Sequence, residues 1–216
     1  MNRRIAVLAV AVLALAGFAA AGAFYDRSPA ERQGAVQAQQ ATPLVRPHSP
    51  VIGRQDAPVT IVEFFDPSCE ACRAFYPIVK QIMAAHPDDL RLVVRYAPFH
   101  QGSDEAVRIL ETARAQGVFV PVLEALLATQ PGWAAHGKPQ LEKAWAAAAS
   151  AGLDVEKARG SMLAPSITAV LNQDLADVQA AGVTRTPTFF VNGKVLSEFG
   201  AQQLYNLVRS EVEAAK

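Results

Sequence analysis

The sequence predicts an α/β protein in which two β-containing segments flank a long helical block. Three observations carry this reading. A strand, a helix and a second strand follow one another over residues 59–96, helical patterning then fills residues 103–182, and a hairpin pattern returns at residues 188–196 before a last amphipathic helix. The first of these, at that length, is the pattern of a parallel βαβ unit.

The folded part is expected to begin near Val51, with Ile52 to Pro58 as a turn-rich lead-in. Val59 to Phe65 is rich in β-branched and aromatic residues and reads as a strand, and Leu90 to Tyr96 reads as a second, buried one. Between them a helix is predicted from Arg73 to Ala85, with Pro77 inside it as a kink. Ser103-Asp104-Glu105 has the form of a helix cap with acidic residues in the first turn, and the face formed by Val107, Leu110 and Ala113 stops at Gly117. Further helices are predicted at Val118–Thr129, Pro139–Ala151, Val155–Leu163 and Pro165–Ala181, the last ended by Gly182. Thr188–Val191, the turn Asn192-Gly193 and Lys194–Leu196 give a strong hairpin signal. Ala201–Ala214 closes the chain with Leu204, Leu207, Val208 and Val212 on one helical face.

The N-terminal region points to export. Asn2-Arg3-Arg4 is a short basic segment, and Ile5 to Ala23 is uncharged and dominated by Ala, Val and Leu. Residues 1–23 therefore read as a signal peptide, with small residues at Ala21 and Ala23 permitting cleavage before Phe24, or as an uncleaved membrane anchor. Either way the arginines stay on the cytoplasmic side and the remainder is exported, in a bacterium to the periplasm. Residues 24–50, rich in Gln, Ala, Pro and Ser, are expected to form a linker, and residues 51–216 one domain with a sizeable core.

Composition excludes several classes. Twenty basic residues balance twenty acidic ones without a basic patch, which argues against nucleic acid or an anionic membrane surface as partner. Two cysteines cannot make a disulfide scaffold, and His48, His86, His100 and His136 are too scattered to complete a structural zinc site. Trp133, Trp145, Phe75 and Tyr76 read as core or groove aromatics, and no nucleotide-binding loop, Ser-His-Asp set or haem-attachment sequence is present.

Those two cysteines are the informative residues. Cys69-Glu-Ala-Cys72 follows a strand and a short Asp66-Pro67-Ser68 turn and opens a helix. The first cysteine then sits where free N–H groups and the helix dipole favour an anion, and the thiolate is the reactive form, so Cys69 is the expected nucleophile. Cys72 lies one turn further along the same face, placed to close a disulfide with Cys69 or to attack a mixed disulfide on it.

Taken with Glu63-Phe-Phe-Asp-Pro-Ser-Cys-Glu-Ala-Cys72, the helical block and Val183-Thr-Arg-Thr-Pro-Thr-Phe-Phe-Val-Asn-Gly193, in that order, the chain over residues 51–216 resembles the DsbA-like thiol–disulfide oxidoreductases. The resemblance implies a thioredoxin fold with an all-helical insertion at about residues 102–182. It implies exchange of disulfides with exported thiol-containing proteins, a membrane redox partner that resets the cysteine pair, and no cofactor or metal beyond the redox-active Cys69–Cys72 disulfide. It also implies a cis Thr186–Pro187 bond packed against the cysteines, with the backbone of Thr186 binding an extended substrate segment. Pro187 read by itself would be an ordinary strand-initiating proline. Glu63 falls where the family carries a buried acid, which implies a raised pKa and proton exchange with Cys72, whereas strand alternation alone could turn it to solvent.

Four further expectations concern the surroundings of the pair. Arg95 could pair with Glu63, or cap its strand in solvent. Strongly oxidising members carry histidine before the second cysteine, where this chain has Ala71, and the charge of Glu70 should make Cys69 less acidic than in those members. Threonine before the proline is a feature of isomerase and reductase relatives, so the direction of electron flow stays open. His100 reads as a surface loop residue. Two other functions fit the same residues: Cu(I) handling by the two thiolates, and peptide capture without turnover.

Overall fold

A computed structural model describes residues 44–216 of the chain; the expected signal or anchor, residues 1–23, lies outside the described residues. The sheet has five strands, β1 Val51–Gly53, β2 Val59–Phe65, β3 Leu90–Tyr96, β4 Thr188–Val191 and β5 Lys194–Val195, in the order β1-β3-β2-β4-β5. β2 and β3 are parallel, Glu63 facing Val94 in register, while the other three pairings are antiparallel. The expected βαβ unit is thus present, and α1 Glu70–Ala85 forms its crossover.

β2 is the central strand, and only Thr60 of its seven residues escapes full burial. Burial on both faces follows from helices covering both sides, and it removes the solvent face that alternation would have offered Glu63. Val59, Ile61 and Phe65 pack on one side with Cys72, Tyr76, Val79 and Ile82 of α1 and with Leu204, Val208 and Val212 of α7 Ala201–Ala214. Val62 and Phe64 pack on the other with Val93, Ala97, Val178 and Val183.

Between β3 and β4 run α2 Ser103–Ala115, α3 Phe119–Trp133, α4 Leu141–Ser150, α5 Val155–Ser161 and α6 Pro165–Ala180, the helical insertion the sequence predicts. Trp133 and Trp145 are core residues of this block, with indole N–H groups donated to the Leu126 carbonyl at 2.9 Å and to Glu105 Oε1 at 2.7 Å. Among the described residues, no helix is long and apolar enough to cross a membrane.

Several expectations are corrected. Val51–Gly53 is a strand rather than lead-in turn, bonded to β3 at the sheet edge, because Gly53 at φ +96° turns the chain immediately after it. α1 begins at Glu70, directly after the first cysteine. Ser103 does not cap α2: Gly102 at φ +81° precedes the helix, and the Ser103 hydroxyl is spent on Asp66 at 2.6 Å. α3 continues to Trp133, through Pro131.

The linker expected to reach residue 50 ends sooner. Arg46 makes a two-pronged bond to Asp177 (2.8 and 2.7 Å), His48 Nε2 lies 2.8 Å from Asp174, and the Leu44 carbonyl accepts from Arg95 at 2.8 Å. Arg95 neither pairs with Glu63 nor reaches solvent. It is fully buried on the face opposite the cysteines, bonded to Asp174 of α6 at 2.8 Å and to Asp177. An arginine buried within a sheet needs carboxylates there, and α6 brings two.

Candidate active site

The turn after β2 sets Cys69 at the start of α1. The Cys69 N–H donates to the Asp66 carbonyl at 3.1 Å, and the Ser68 N–H to Asp66 Oδ1 at 2.8 Å. Cys69 occupies the N-cap in extended conformation, φ −78° and ψ 122°, so the first N–H groups of the helix have no partner within it. Gln130 of α3 ties this turn to the insertion, donating through Nε2 to the carbonyls of Pro67 (2.8 Å) and Cys69 (3.0 Å) while its Oε1 accepts from Arg73 at 2.9 Å.

Both thiols are free, and both are buried, Cys72 completely and Cys69 to within 6 %. Their environments differ. The Cys69 pKa is lowered to about 5, first by the bond from the Cys72 thiol; burial opposes this, and the Thr186 hydroxyl and the N–H groups of Cys72 and Ala71 add to it. Cys72 moves the other way, pushed far up by burial, by its bond to Cys69 and by the charges of Glu63 and Cys69, against the N–H of Asp66 at 3.5 Å. One cysteine is thereby a thiolate at neutral pH and the other a thiol, the division that exchange chemistry needs.

The loop before β4 completes the site. The Thr186–Pro187 bond is cis, and the Thr186 carbonyl lies 3.3 Å from Cys69 Sγ, across 117 residues of sequence. A groove of about 220 Å³ runs beside it, lined among others by Arg185, Pro187, Phe190, Val195 and Phe199. Phe199 is partly exposed and stacks on Phe75 at 4.3 Å.

Glu63 shares the face of Ile61 and Phe65, the face covered by α1, and is 1 % exposed. Its Oε1 finds no hydrogen-bond partner among the described residues. Burial, with a smaller contribution from the Cys69 charge, raises its pKa to about 8, so it holds its proton at neutral pH. The structure therefore gathers Cys69, Cys72, Glu63, Thr186 and Pro187 around one point.

Two features of this site are not visible in the sequence pattern. Asp66 accepts through Oδ2 from the N–H groups of Phe99 (2.8 Å) and His100 (3.0 Å) and lies 2.7 Å from His100 Nδ1; its Oδ1 takes the Ser68 N–H and the Ser103 hydroxyl. His100 is thus bolted to the active-site turn rather than free on the surface. Glu70 turns to His136, Oε1 to Nε2 at 2.7 Å. Among the described residues no group of three or more His, Cys, Asp or Glu side chains could hold a metal ion.

A helix-borne cysteine pair opposite a cis-proline loop, on a sheet with a helical insertion, places the chain in the thioredoxin-like class. Residues 46–208 match the family model described as Thioredoxin, and the chain belongs to that family. It is similar to a thioredoxin-like oxidoreductase from Silicibacter pomeroyi DSS-3, with 31% identity and a TM-score of 0.68 over 81% of this chain and 95% of that one. It is also similar to oxidised BdbD from Bacillus subtilis, with 25% identity and a TM-score of 0.69 over 77% of this chain and 94% of that one. Among curated proteins, the Na(+)/H(+) antiporter NhaA of Herminiimonas arsenicoxydans is 35% identical over 171 residues, which is 77% of this chain but 27% of the antiporter. The chain spans about a quarter of that relative's length.

Proposed function

We propose that the chain is an exported thiol–disulfide oxidoreductase that donates its Cys69–Cys72 disulfide to thiol-containing proteins. The observation that carries this is the split between an acidic Cys69 at a helix N-terminus and a deeply buried Cys72 one turn on. A stabilised thiolate favours the reduced form of the pair, and a pair stabilised when reduced is a strong oxidant when oxidised. Electron flow from substrate to enzyme is therefore the direction supported, in spite of Glu70, whose charge is engaged by His136.

The exchange runs in two displacements. A substrate thiolate, its chain laid along Thr186 as an added strand, attacks Cys69 Sγ; the new S–S bond forms as the Cys69–Cys72 bond breaks, and the electron pair leaves on Cys72 Sγ. Glu63, protonated at neutral pH, supplies the proton that this buried sulfur needs. A second substrate thiolate then attacks the substrate's own sulfur in the mixed disulfide and expels Cys69, a good leaving group because its pKa is low. The substrate leaves with a disulfide, and the enzyme keeps two electrons until a membrane redox partner removes them.

The test is oxidative refolding of a reduced, unfolded protein by the oxidised enzyme in stoichiometric amount. The reading expects native disulfides to appear while Cys69 and Cys72 become reduced; unchanged thiols on both sides would overturn it. If the cysteines instead serve Cu(I), the reduced protein takes up one Cu(I) tightly and the oxidised protein none, with no refolding activity.

Glu63 yields a stability prediction. Its folded pKa lies above that of a carboxyl in the unfolded chain, so the folded state is favoured fully below about pH 4.5 and loses that advantage as pH rises to about 8. Glu63→Gln, which keeps the shape and removes the acid, is expected to leave stability unchanged near pH 4 and to raise it by about 3 kcal/mol at pH 7. Urea unfolding of the reduced protein at both pH values checks this.

A further inference from the structure

Two histidines and a glutamate gather beside Cys69, and the exchange just described uses none of them. Asp66 is fully buried, and its carboxylate is saturated by three backbone N–H groups, the Ser103 hydroxyl and His100 Nδ1. The same residue's N–H reaches Cys72 Sγ at 3.5 Å, so Asp66 fixes the His100 ring relative to the cysteine turn. The ring is about one-third exposed, and since Nδ1 is held by Asp66, Nε2 is directed away from it. The ring centre lies 6.0 Å from that of His136, whose Nε2 meets Glu70, the residue next to Cys69.

The charges facing His100 come from three segments: Asp66 from the turn after β2, Cys69 and Glu70 from the start of α1, and His136 from the loop after α3. Asp66, Glu70 and the Cys69 thiolate are negative, so a proton on His100 is favoured. Burial opposes that proton, but the bond to Asp66 and the three negative charges outweigh it and move the His100 pKa up. An aspartate on Nδ1 orients an imidazole and stabilises its charged form.

We propose that His100, clamped by Asp66, is the positioning cation that stabilises the Cys69 thiolate, supplying from a distant loop the positive charge that the Glu70-Ala71 dipeptide lacks. His136 assists by engaging Glu70, which would otherwise oppose the thiolate. The coupling is reciprocal: the thiolate strengthens the proton affinity of His100 by the factor with which protonated His100 stabilises the thiolate. Forming the Cys69–Cys72 disulfide removes the negative sulfur, so His100 binds its proton more weakly in the oxidised enzyme. Reduction then takes up extra proton at His100 between its two midpoints, and across that window the reduction potential falls more steeply with rising pH.

This inference rests on Cys69 being the exchanging thiolate, and its test separates the two. The His100 ring is titrated by NMR in the full chain, once reduced and once oxidised. The midpoint is expected about one pH unit higher in the reduced protein, as for a charge partner at short range that is partly exposed to solvent. Equal midpoints overturn the proposal. In His100→Gln, which retains a donor for Asp66, the pH midpoint of Cys69 alkylation is expected to rise by a similar amount, and an unchanged midpoint overturns it equally. Refolding activity measured on the same wild-type sample reports the exchange reading independently: a midpoint shift without activity sinks only that reading, and activity without a shift sinks only the role of His100.

Discussion

Serine at position 69 is expected to abolish disulfide exchange, whereas serine at position 72 leaves a protein that captures substrate and holds it. The asymmetry follows from burial and charge. Cys69 is the acidic sulfur at the helix N-terminus, beside the Thr186 carbonyl, and a serine hydroxyl there neither ionises at neutral pH nor forms a disulfide. Cys72 has no exposure, so no substrate reaches it when Cys69 is gone. In Cys72→Ser the nucleophile survives but the thiol that would expel bound substrate is missing. Incubated with a protein carrying one activated mixed disulfide, Cys72→Ser is expected to accumulate a covalent complex that dithiothreitol releases. Cys69→Ser should give none, and comparable trapping by both variants would show that the two sulfurs are not divided as the geometry divides them.

The second large effect is on stability. Arg95→Ala removes the fully buried guanidinium that pairs with both Asp174 and Asp177, leaving them only Arg46, His48 and uncharged donors, and breaking a buried ion pair in this way costs about 3–5 kcal/mol. That is a large fraction of the roughly 5–15 kcal/mol typical of a domain, so the variant is expected to unfold at much lower urea concentration. Arg46→Ala removes a partly exposed partner of Asp177 and should cost about 1 kcal/mol. Asp177 also sets an acid limit. Arg46 and Arg95 outweigh the cost of its burial and hold its pKa at about 2, below that of the unfolded chain, so this stabilisation is present above about pH 4 and is lost as pH falls towards 2. Urea midpoints of the three proteins at neutral and acid pH measure both effects, and a fall for Arg95→Ala no larger than for Arg46→Ala would contradict the account.

Arg95 also shows where sequence reading stops. Helices and strands were legible because their signals are local: the βαβ order, the helical run to Gly182 and the Asn192-Gly193 turn each lie within a short window, and each has its counterpart in the structure. The partners of Arg95 lie 79 and 82 residues away on α6, and no local pattern links a strand arginine to those aspartates. The same holds for Asp66, whose ligands His100 and Ser103 come from the far end of β3; a serine before two acidic residues looks like a cap until its hydroxyl is found elsewhere. Glu63 was ambiguous for a different reason. Alternation predicts a solvent face only for a strand with one, and β2 is covered on both sides. The cysteine pair was legible because its chemistry depends on position in one turn, and the family resemblance already set Glu63 and Thr186 beside it, whereas the parts of its setting that depend on His100 and Gln130 are brought there only by the fold.

The acidity of Cys69 is the claim on which the direction of exchange depends. It is measured by the rate of Cys69 alkylation with iodoacetamide as a function of pH, the modified residue identified by mass spectrometry. The account predicts a half-maximal rate near pH 5, a plateau by neutral pH and no modification of Cys72. A half-maximal rate near pH 8.5, the value of an ordinary thiol, would contradict it and remove the case for a disulfide donor.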